Sequence, residues 1–143
     1  MRKSAVIVQM HTAAEKYLEP GEELRVCADM MAGSYKLMAM APFFGKPWLW
    51  PRHFVIATNR RLLLIKATPW RARPKQLVSS DALSGVVLEQ YKKVKVMLQI
   101  RRSNGEIFYC WGNGESTFSS GRWRAEVEQF AQLLQSATGV APR

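Results

Sequence analysis

The sequence predicts one mainly β (α+β) domain: a seven-stranded antiparallel sandwich or partly open barrel, capped by a C-terminal helix and preceded by an extra N-terminal helix. A chain of 143 residues suits a single hydrophobic core. Short β-rich runs separated by turn residues are followed by one amphipathic stretch, which must bury its apolar stripe on the strands. We expect one domain over residues 1–143, with the helices within 1–19 and 119–138 and the β core within 22–111.

Helical spacing of apolar residues predicts the N-terminal helix. The residues that recur at this spacing are Val6, Met10, Ala13, Ala14 and Tyr17. The predicted helix runs from about residue 3 to residue 18, and Pro20-Gly21 ends it because proline and glycine interrupt helices.

The first three strands are predicted from β-rich runs. In residues 23–31 apolar and polar side chains alternate, which predicts a half-buried strand one. Residues 33–52 contain prolines and glycines that predict a long loop with extended ends. Residues 54–57 and 62–65 surround Thr58-Asn59-Arg60-Arg61, which predicts a tight hairpin of strands two and three with solvated arginines at its turn.

The remaining strands and the closing helix follow in order. Runs at 76–79 and 85–90 predict strands four and five, and alternation over 94–101 predicts strand six. Asn104-Gly105 then leads into strand seven at 107–111, a strong hairpin signature. Ser119-Ser120 offers a helix N-cap and Gly139 a stop. Between them one helical face is apolar: Trp123, Val127, Phe130, Ala131 and Leu134.

Cysteine usage and hydropathy indicate a cytoplasmic protein. Cys27 and Cys110 fall inside apolar runs, which predicts buried thiols in a reducing compartment rather than a disulfide or a metal site. The apolar start of the chain breaks at Gln9, short of a signal peptide core. The longest apolar tracts are far below the ~20 residues that a spanning helix needs, so any membrane contact is expected to be peripheral.

Charge is distributed unevenly along the chain. The net charge is +10 and the pI about 10.1. Between Asp29 and Asp81 the sequence contains no Asp or Glu, but it contains nine Lys or Arg residues and several large aromatic residues. A basic field with aromatic groups between prolines and glycines is typical of a protein that meets a polyanionic surface.

Several of these features together resemble bacterial pleckstrin-homology-like (PH-like) domains. They are the order of elements, Pro20-Gly21-Glu22 before strand one, the hairpin motif Thr58-Asn59-Arg60-Arg61-Leu62-Leu63, and the closing helix. The resemblance covers roughly residues 18–135. The long aromatic first loop and the N-terminal helix depart from the common core. The resemblance implies a binding module, of the kind that takes lipids, peptides or proteins.

The resemblance also implies a place for the binding site, because the loops after strands one, three and six lie at one open end in that fold. The predicted anionic-ligand residues are Lys46, Arg52, Arg71, Arg73, Lys75, Arg101 and Arg102. The predicted membrane or partner contacts are Phe43, Phe44, Trp48, Trp50 and Trp70. The expected mechanism has two parts: electrostatic capture at the inner face of an anionic membrane, then shallow insertion of aromatic side chains.

Other functions remain open at this point. The loop aromatics are equally consistent with packing over the sheet edge or covering a partner's strand, so protein interaction or self-assembly into a homo-oligomer is an alternative. Nucleic-acid binding is ranked below lipid, since stackable aromatics and net charge are its only support. No catalytic residue, cofactor or metal is predicted, because His11 and His53 lie in no recognisable triad or metal spacing.

Overall fold

The computed structural model describes residues 3–34, 52–68, 73–92, 96–112 and 123–138. Within these residues, two α-helices flank the strands: α1 (Lys3–Glu15) and α2 (Arg124–Thr138). The seven strands are β1 (Leu24–Gly33), β2 (Arg52–Thr58), β3 (Arg61–Ala67), β4 (Pro74–Ala82), β5 (Val87–Lys92), β6 (Met97–Arg101) and β7 (Ile107–Gly112). A short 3-10 helix (Leu83–Gly85) joins β4 to β5.

All seven strands belong to one antiparallel sheet with the order β4-β3-β2-β1-β7-β6-β5. The predicted fold class is therefore confirmed, including the helix at each end. The sheet does not close into a barrel, because β4 and β5 are its two edges and do not pair with each other. Strands that follow one another in sequence are neighbours in the sheet except β4 and β5. The pairing of β1 with β7 joins the β1–β4 half of the sheet to the β5–β7 half.

The half-buried pattern predicted for strand one is wrong. Every residue of β1 from Val26 to Ala32 is buried, as is every residue of β2. Alternate residues of a strand face opposite sides of the sheet, so burial without alternation means that both faces are covered. Helix α1 contacts β1, β2 and β4, whereas α2 contacts β1, β5, β6 and the 3-10 helix. The extra N-terminal helix is thus a second cover for the β1–β4 half.

Each helix buries one stripe in the same core. In α1 the buried side chains are Val6, Met10, Ala13 and Ala14. In and next to α2 they are Trp123, Val127, Phe130, Ala131 and Leu134, as the apolar periodicity predicts. Lys3 of α1 forms an ion pair with Glu126 of α2, and its ammonium lies 5.0 Å from the centre of the Trp123 ring. The two helices therefore meet at one end of the sheet.

The turn that follows α1 depends on Gly21. Helix α1 ends at Glu15, three residues before the predicted end, and the Glu22 N–H donates to the Glu19 carbonyl across Pro20-Gly21 at 3.0 Å. Gly21 has φ +81°, a conformation that favours glycine in a type II turn with proline before it. This turn sets the start of β1.

The β6–β7 hairpin forms at the predicted Asn104-Gly105. The Gly105 N–H donates to the Arg102 carbonyl at 2.9 Å, and the Asn104 side chain accepts from the Glu106 N–H at 3.0 Å. Strand β6 begins later than predicted, at Met97, because Val96 lies in a turn with φ 52°. The predicted strand start at Val94, the Ser119-Ser120 cap, the Gly139 stop and most of the 33–52 loop lie outside the described residues.

Both cysteines are buried free thiols, as predicted. By register, Cys27 faces one side of the sheet with Ile56, and Cys110 faces the other side with Ala32. Burial raises the pKa of Cys27 to about 11 and also raises the pKa of Cys110. Neither thiol is placed to pair with the other.

Candidate functional site

The two motifs that carry the family resemblance form one hydrogen-bonded unit. The Thr58 hydroxyl donates to Glu22 Oε2 at 2.7 Å and accepts from the Arg61 N–H at 2.9 Å. Asn59 exchanges two hydrogen bonds of 2.9 Å with the backbone of Glu23. The turn before β1 and the β2–β3 turn, separated by more than thirty residues in sequence, are therefore locked together.

Arg61 is the centre of this unit. Its guanidinium donates to Glu22 Oε1 at 2.6 Å, to the Tyr17 carbonyl at 2.6 Å and to Ser80 Oγ at 3.1 Å. The hydrogen bond from Arg61 lowers the pKa of Glu22 to about 2, and the Glu22 carboxylate in turn raises the pKa of Arg61. The sequence-based expectation that this arginine is a solvated turn residue is wrong, whereas Arg60 is exposed as expected. We call this end of β3 the locked end.

The other end of β3 carries charge that is not locked. Lys66, Arg73 and Lys75 are all exposed, and within the described ranges no carboxylate forms an ion pair with them. In the β3–β4 register, Ile65 pairs with Leu77 and Ala67 pairs with Pro74. Lys66 therefore lies opposite Lys75 and Gln76. We call these three residues the basic cluster.

Backbone contacts hold the basic cluster at the end of the strands. Thr68 and Arg73 exchange two hydrogen bonds of 2.9 Å, which close the base of the β3–β4 connection. The pairs His53↔Lys66 and Met31↔Arg52 put this connection beside the start of β2 and the end of β1. The ends of β1 and β3, two of the three strand ends that the family resemblance assigned to an open end, thus lie together, and we call this end of the sheet the open end.

Arg52 lies near the open end but its charge is compensated inside the protein. Its Nε donates to both carboxylate oxygens of Asp29, at 2.8 and 3.0 Å. The side chains of Arg52 and Asp29 are 5% and 1% exposed. A buried arginine that binds a buried carboxylate in this way is a structural pair.

Arg101 and Arg102 are not brought into the basic cluster. Arg101 forms an ion pair with Glu89 on the neighbouring strand. Arg102 donates to Asp81 at 3.0 Å and to Glu106 at 2.9 Å. Asp81 is six positions beyond Lys75 on β4, which corresponds to roughly 20 Å along a strand. Arg102 therefore links the β6–β7 hairpin to the end of β4, and Arg101 links β6 to β5.

The other predicted site residues lie outside the described residues, and their roles stay predictions. They are Phe43, Phe44, Lys46, Trp48, Trp50, Trp70 and Arg71. Sequence reasoning missed Lys66 because it ends an apolar strand and belongs to no visible charge run. The antiparallel pairing of two successive strands could have indicated its role, because it places the end of β3 beside the basic residues at the start of β4.

A cleft opens on the inner side of the sheet between β4 and the β6–β7 hairpin. Its volume is about 400 Å³. Leu64, Val78 and Ser79 line one side, and Ile107 and Phe108 line the other. We call it the β4 cleft. Val78 and Ile107 are 49% and 42% exposed, so the cleft presents large apolar side chains to solvent.

Within the described ranges, neither helix combines the length and apolar character needed to cross a bilayer. In the same ranges, His, Cys, Asp and Glu side chains form no group of three that could hold a metal ion.

Comparisons with known proteins bear on the fold. No family model matches the sequence, and no curated protein matches it. The hSac2 domain of the human phosphoinositide phosphatase Sac2 matches 99% of this chain and 88% of its own, with 11% identity and a TM-score of 0.51. The Slm1 PH domain in complex with inositol-4-phosphate matches 75% and 95%, with 16% identity and a TM-score of 0.42.

The linker-DH/PH structure of p115-RhoGEF matches 87% of this chain, with 10% identity and a TM-score of 0.46. This chain spans 32% of that structure, about a third of its length. The observed strand order, closed by α2, is the PH-like architecture that the sequence resemblance implied. Identities this low concern the fold and not the ligand, and the bacterial part of the resemblance stays a prediction.

Proposed function

We propose that this chain is a non-catalytic PH-like binding module that associates peripherally with an anionic membrane, at its inner, cytoplasmic face, through the open end of the sheet. The observation that carries the proposal is the basic cluster. Lys66, Arg73 and Lys75 are exposed and have no carboxylate partner among the described residues, whereas Arg52, Arg61 and Arg102 are paired with carboxylates.

The electrostatic contribution of the cluster is large enough for reversible binding. Each Lys or Arg close to an anionic leaflet contributes about 1 kcal/mol. Three together contribute about 3 kcal/mol, a factor of roughly a hundred in affinity. Other cations of this basic chain would add weaker, longer-range attraction, which salt screens more effectively.

The aromatic part of the proposal completes the mechanism. Trp48, Trp50 and Phe44 are proposed to insert at the lipid interface after the cluster has captured the head groups, because aromatic side chains favour that depth. Lys46, Arg71, Phe43 and Trp70 are proposed to contribute beside them. The proposed roles of these residues rest on the sequence, so a separate variant is needed to test them.

Co-sedimentation with vesicles tests the proposal. The protein is mixed with neutral phosphatidylcholine vesicles and with vesicles that also contain phosphatidylserine, at low and high salt. We expect binding to the anionic vesicles only, weakened by salt. Replacing Lys66, Arg73 and Lys75 by Ala should reduce affinity up to about a hundredfold, and Trp48→Ala/Trp50→Ala should reduce it at high salt as well.

A charge-matched variant serves as the control. Lys16→Ala/Arg25→Ala/Arg60→Ala also removes three exposed positive charges, but it removes them around the locked end. We expect it to change the affinity less than about threefold, since those charges would face away from the leaflet. Equal losses in both triple variants, or no binding to anionic vesicles, would overturn the proposal. Tighter binding to a single-stranded oligonucleotide than to vesicles would instead favour nucleic acid.

A further inference from the structure

We infer that the free edge of β4, together with the β4 cleft, binds an extended segment of a partner protein. The segment carries an apolar side chain that enters the cleft and, on its C-terminal side, acidic residues that face Lys75. This inference goes beyond membrane binding, because, apart from Lys75, neither the edge of β4 nor the cleft takes part in that proposal.

The edge of β4 is available for hydrogen bonding. Within the seven-stranded sheet β4 pairs only with β3. The Leu83 N–H donates to the Arg60 carbonyl at 2.9 Å, so Arg60 and Leu83 form a hydrogen-bonded pair. Along two antiparallel strands, hydrogen-bonded pairs alternate with non-hydrogen-bonded pairs. Ser80, opposite Leu63, falls at a non-bonded position. Its N–H and C=O therefore point away from β3, toward the open side.

The residues that normally prevent an edge strand from pairing with another chain occur only in the first half of β4. Natural edges are blunted by proline, lysine and bulges. Pro74, Lys75 and the register shifts near Leu77 supply these at the start of the strand. The segment after the shifts, up to Ala82, contains neither proline nor lysine. A partner strand can therefore pair there, as in β-strand addition.

The cleft gives such a strand a pocket for one side chain. Alternate residues of an added strand would face the inner side of the sheet, where Leu64 and Phe108 form the apolar wall of the cleft. Val78 and Ile107 are exposed at its rim. The volume of about 400 Å³ lies within the range of ligand pockets. An apolar side chain of the partner would bury these groups.

The charged residues at the two ends of the β4 edge indicate where acidic residues of the segment would lie. At the start of β4, Lys75 belongs to the basic cluster, which has no carboxylate partner in the described part of the chain. At the other end Arg102 is shared between Asp81 and Glu106. Antiparallel pairing, the more stable arrangement, puts the C-terminal side of the segment beside Lys75. Acidic residues are therefore expected there.

A second copy of this chain fits the edge less well. Antiparallel pairing of two β4 strands centred on Val78 would place Lys75 opposite Asp81 of the copy. That carboxylate is buried and already bound by Arg102. Each copy would also carry a net charge of +10, which opposes association of two copies. The charge pattern favours an acidic partner segment.

The test uses a fluorescent, N-acetylated seven-residue probe: alternating Thr and Val residues followed by two Asp residues. Binding is followed by anisotropy in the absence of lipid. Ser80→Pro removes the outward N–H, and proline is tolerated at such edge positions. Ser80→Ala is the matched control, since both variants lose the hydroxyl that accepts from Arg61. Circular dichroism and thermal melting check that each variant folds.

We expect the probe to bind the wild type and Ser80→Ala within about twofold, and to bind Ser80→Pro at least about tenfold more weakly. Probe N-methylated at its central amides should lose binding similarly. If Ser80→Pro does not fold, Val78→Ser/Ile107→Ser, which replaces two exposed apolar side chains without changing the charge, should weaken binding to the same extent. Membrane binding of these variants should be unchanged, so the two proposals fail separately.

Three results would overturn the inference. The first is absence of probe binding at millimolar concentration. The second is equal weakening by Ser80→Pro and Ser80→Ala, which would mean that the outward backbone group is not used. The third is concentration-dependent dimerisation that Ser80→Pro abolishes, which would assign the edge to a second copy of the chain.

Discussion

The two ends of β3 carry the same kind of charge with opposite consequences. At the locked end, Arg61 donates to Glu22, Tyr17 and Ser80, and its side chain is 20% exposed. At the open end, Lys66 is exposed and lies beside Lys75 without a carboxylate among the described residues. One cation is part of the fold, and the other is available to a ligand.

This difference teaches that net charge alone does not locate a binding surface. Arg52, Arg61, Arg101 and Arg102 are all engaged with carboxylates of the same chain. An external anion can bind only to those cationic side chains that have no carboxylate partner within the chain. A change at a locked cation should therefore affect stability, whereas a change in the basic cluster should affect binding.

The largest expected effect on stability is at the buried pair of Asp29 and Arg52. Asp29→Ala should lower the free energy of unfolding by about 3–5 kcal/mol, because it leaves a buried guanidinium without its carboxylate. Urea denaturation monitored by tryptophan fluorescence measures it. Replacing both partners, as Asp29→Leu/Arg52→Met, should recover most of the loss. A loss below about 1 kcal/mol in the single variant would contradict a structural role for the pair.

Glu22 is the next test of the locked end. Glu22→Gln should cost about 2–3 kcal/mol of unfolding free energy, since the charged hydrogen bonds from Arg61 are replaced by weaker ones. Glu23→Gln is the neighbouring control, because the Glu23 side chain is 70% exposed and exposed pairs contribute little. Similar losses in both variants would refute the special position of Glu22.

The lowered pKa of Glu22 predicts how stability depends on pH. In the folded chain its pKa is about 2, against an ordinary value of 4.5. The folded state therefore favours the carboxylate, so this contribution is present above pH 4.5 and is lost as the pH falls through 2. Unfolding free energies between those values should fall more steeply for the wild type than for Glu22→Gln. Parallel curves would show that Glu22 does not titrate in this way.

The smallest expected effect on stability is at the open end. The triple variant Lys66→Ala/Arg73→Ala/Lys75→Ala should change the free energy of unfolding by less than about 0.5 kcal/mol, because exposed residues without specific contacts contribute little. The same urea titration measures it. A loss above about 2 kcal/mol would mean that the cluster belongs to the fold, and its effect on vesicle binding would then need a different explanation.

The elements that the sequence predicted well are those set by local residues. Asn104-Gly105 determines the β6–β7 turn through its own side chain and a positive φ of 90° at the glycine. The apolar stripe of α2 and the Pro20-Gly21 turn are local in the same sense. The fold class followed from the family resemblance as well, but no local pattern specifies that β1 pairs with β7.

What the sequence did not predict depends on contacts between distant residues. Arg61 and Glu22 are 39 positions apart, and Arg52 and Asp29 are 23 apart. A charge run looks the same in sequence whether its members are paired or not. Full burial of β1 was missed for a related reason, since alternation is lost only once α1 and α2 cover both faces.

Site-directed spin labelling can show whether the open end faces an anionic membrane. A nitroxide is attached either at Gln76→Cys, next to the basic cluster, or at Lys16→Cys, after α1 on the side of the locked end. Both positions are exposed. The native thiols are buried, and burial raises the pKa of Cys27 to about 11, so the introduced thiol reacts selectively.

With anionic vesicles, we expect the label at residue 76 to lose mobility and accessibility to water-soluble relaxation agents, while the label at residue 16 keeps both. Neutral vesicles should change neither label. Protection of the label at residue 16 alone, or equal protection of both labels, would contradict the claim that the unpaired cations of the open end determine how this domain meets a membrane.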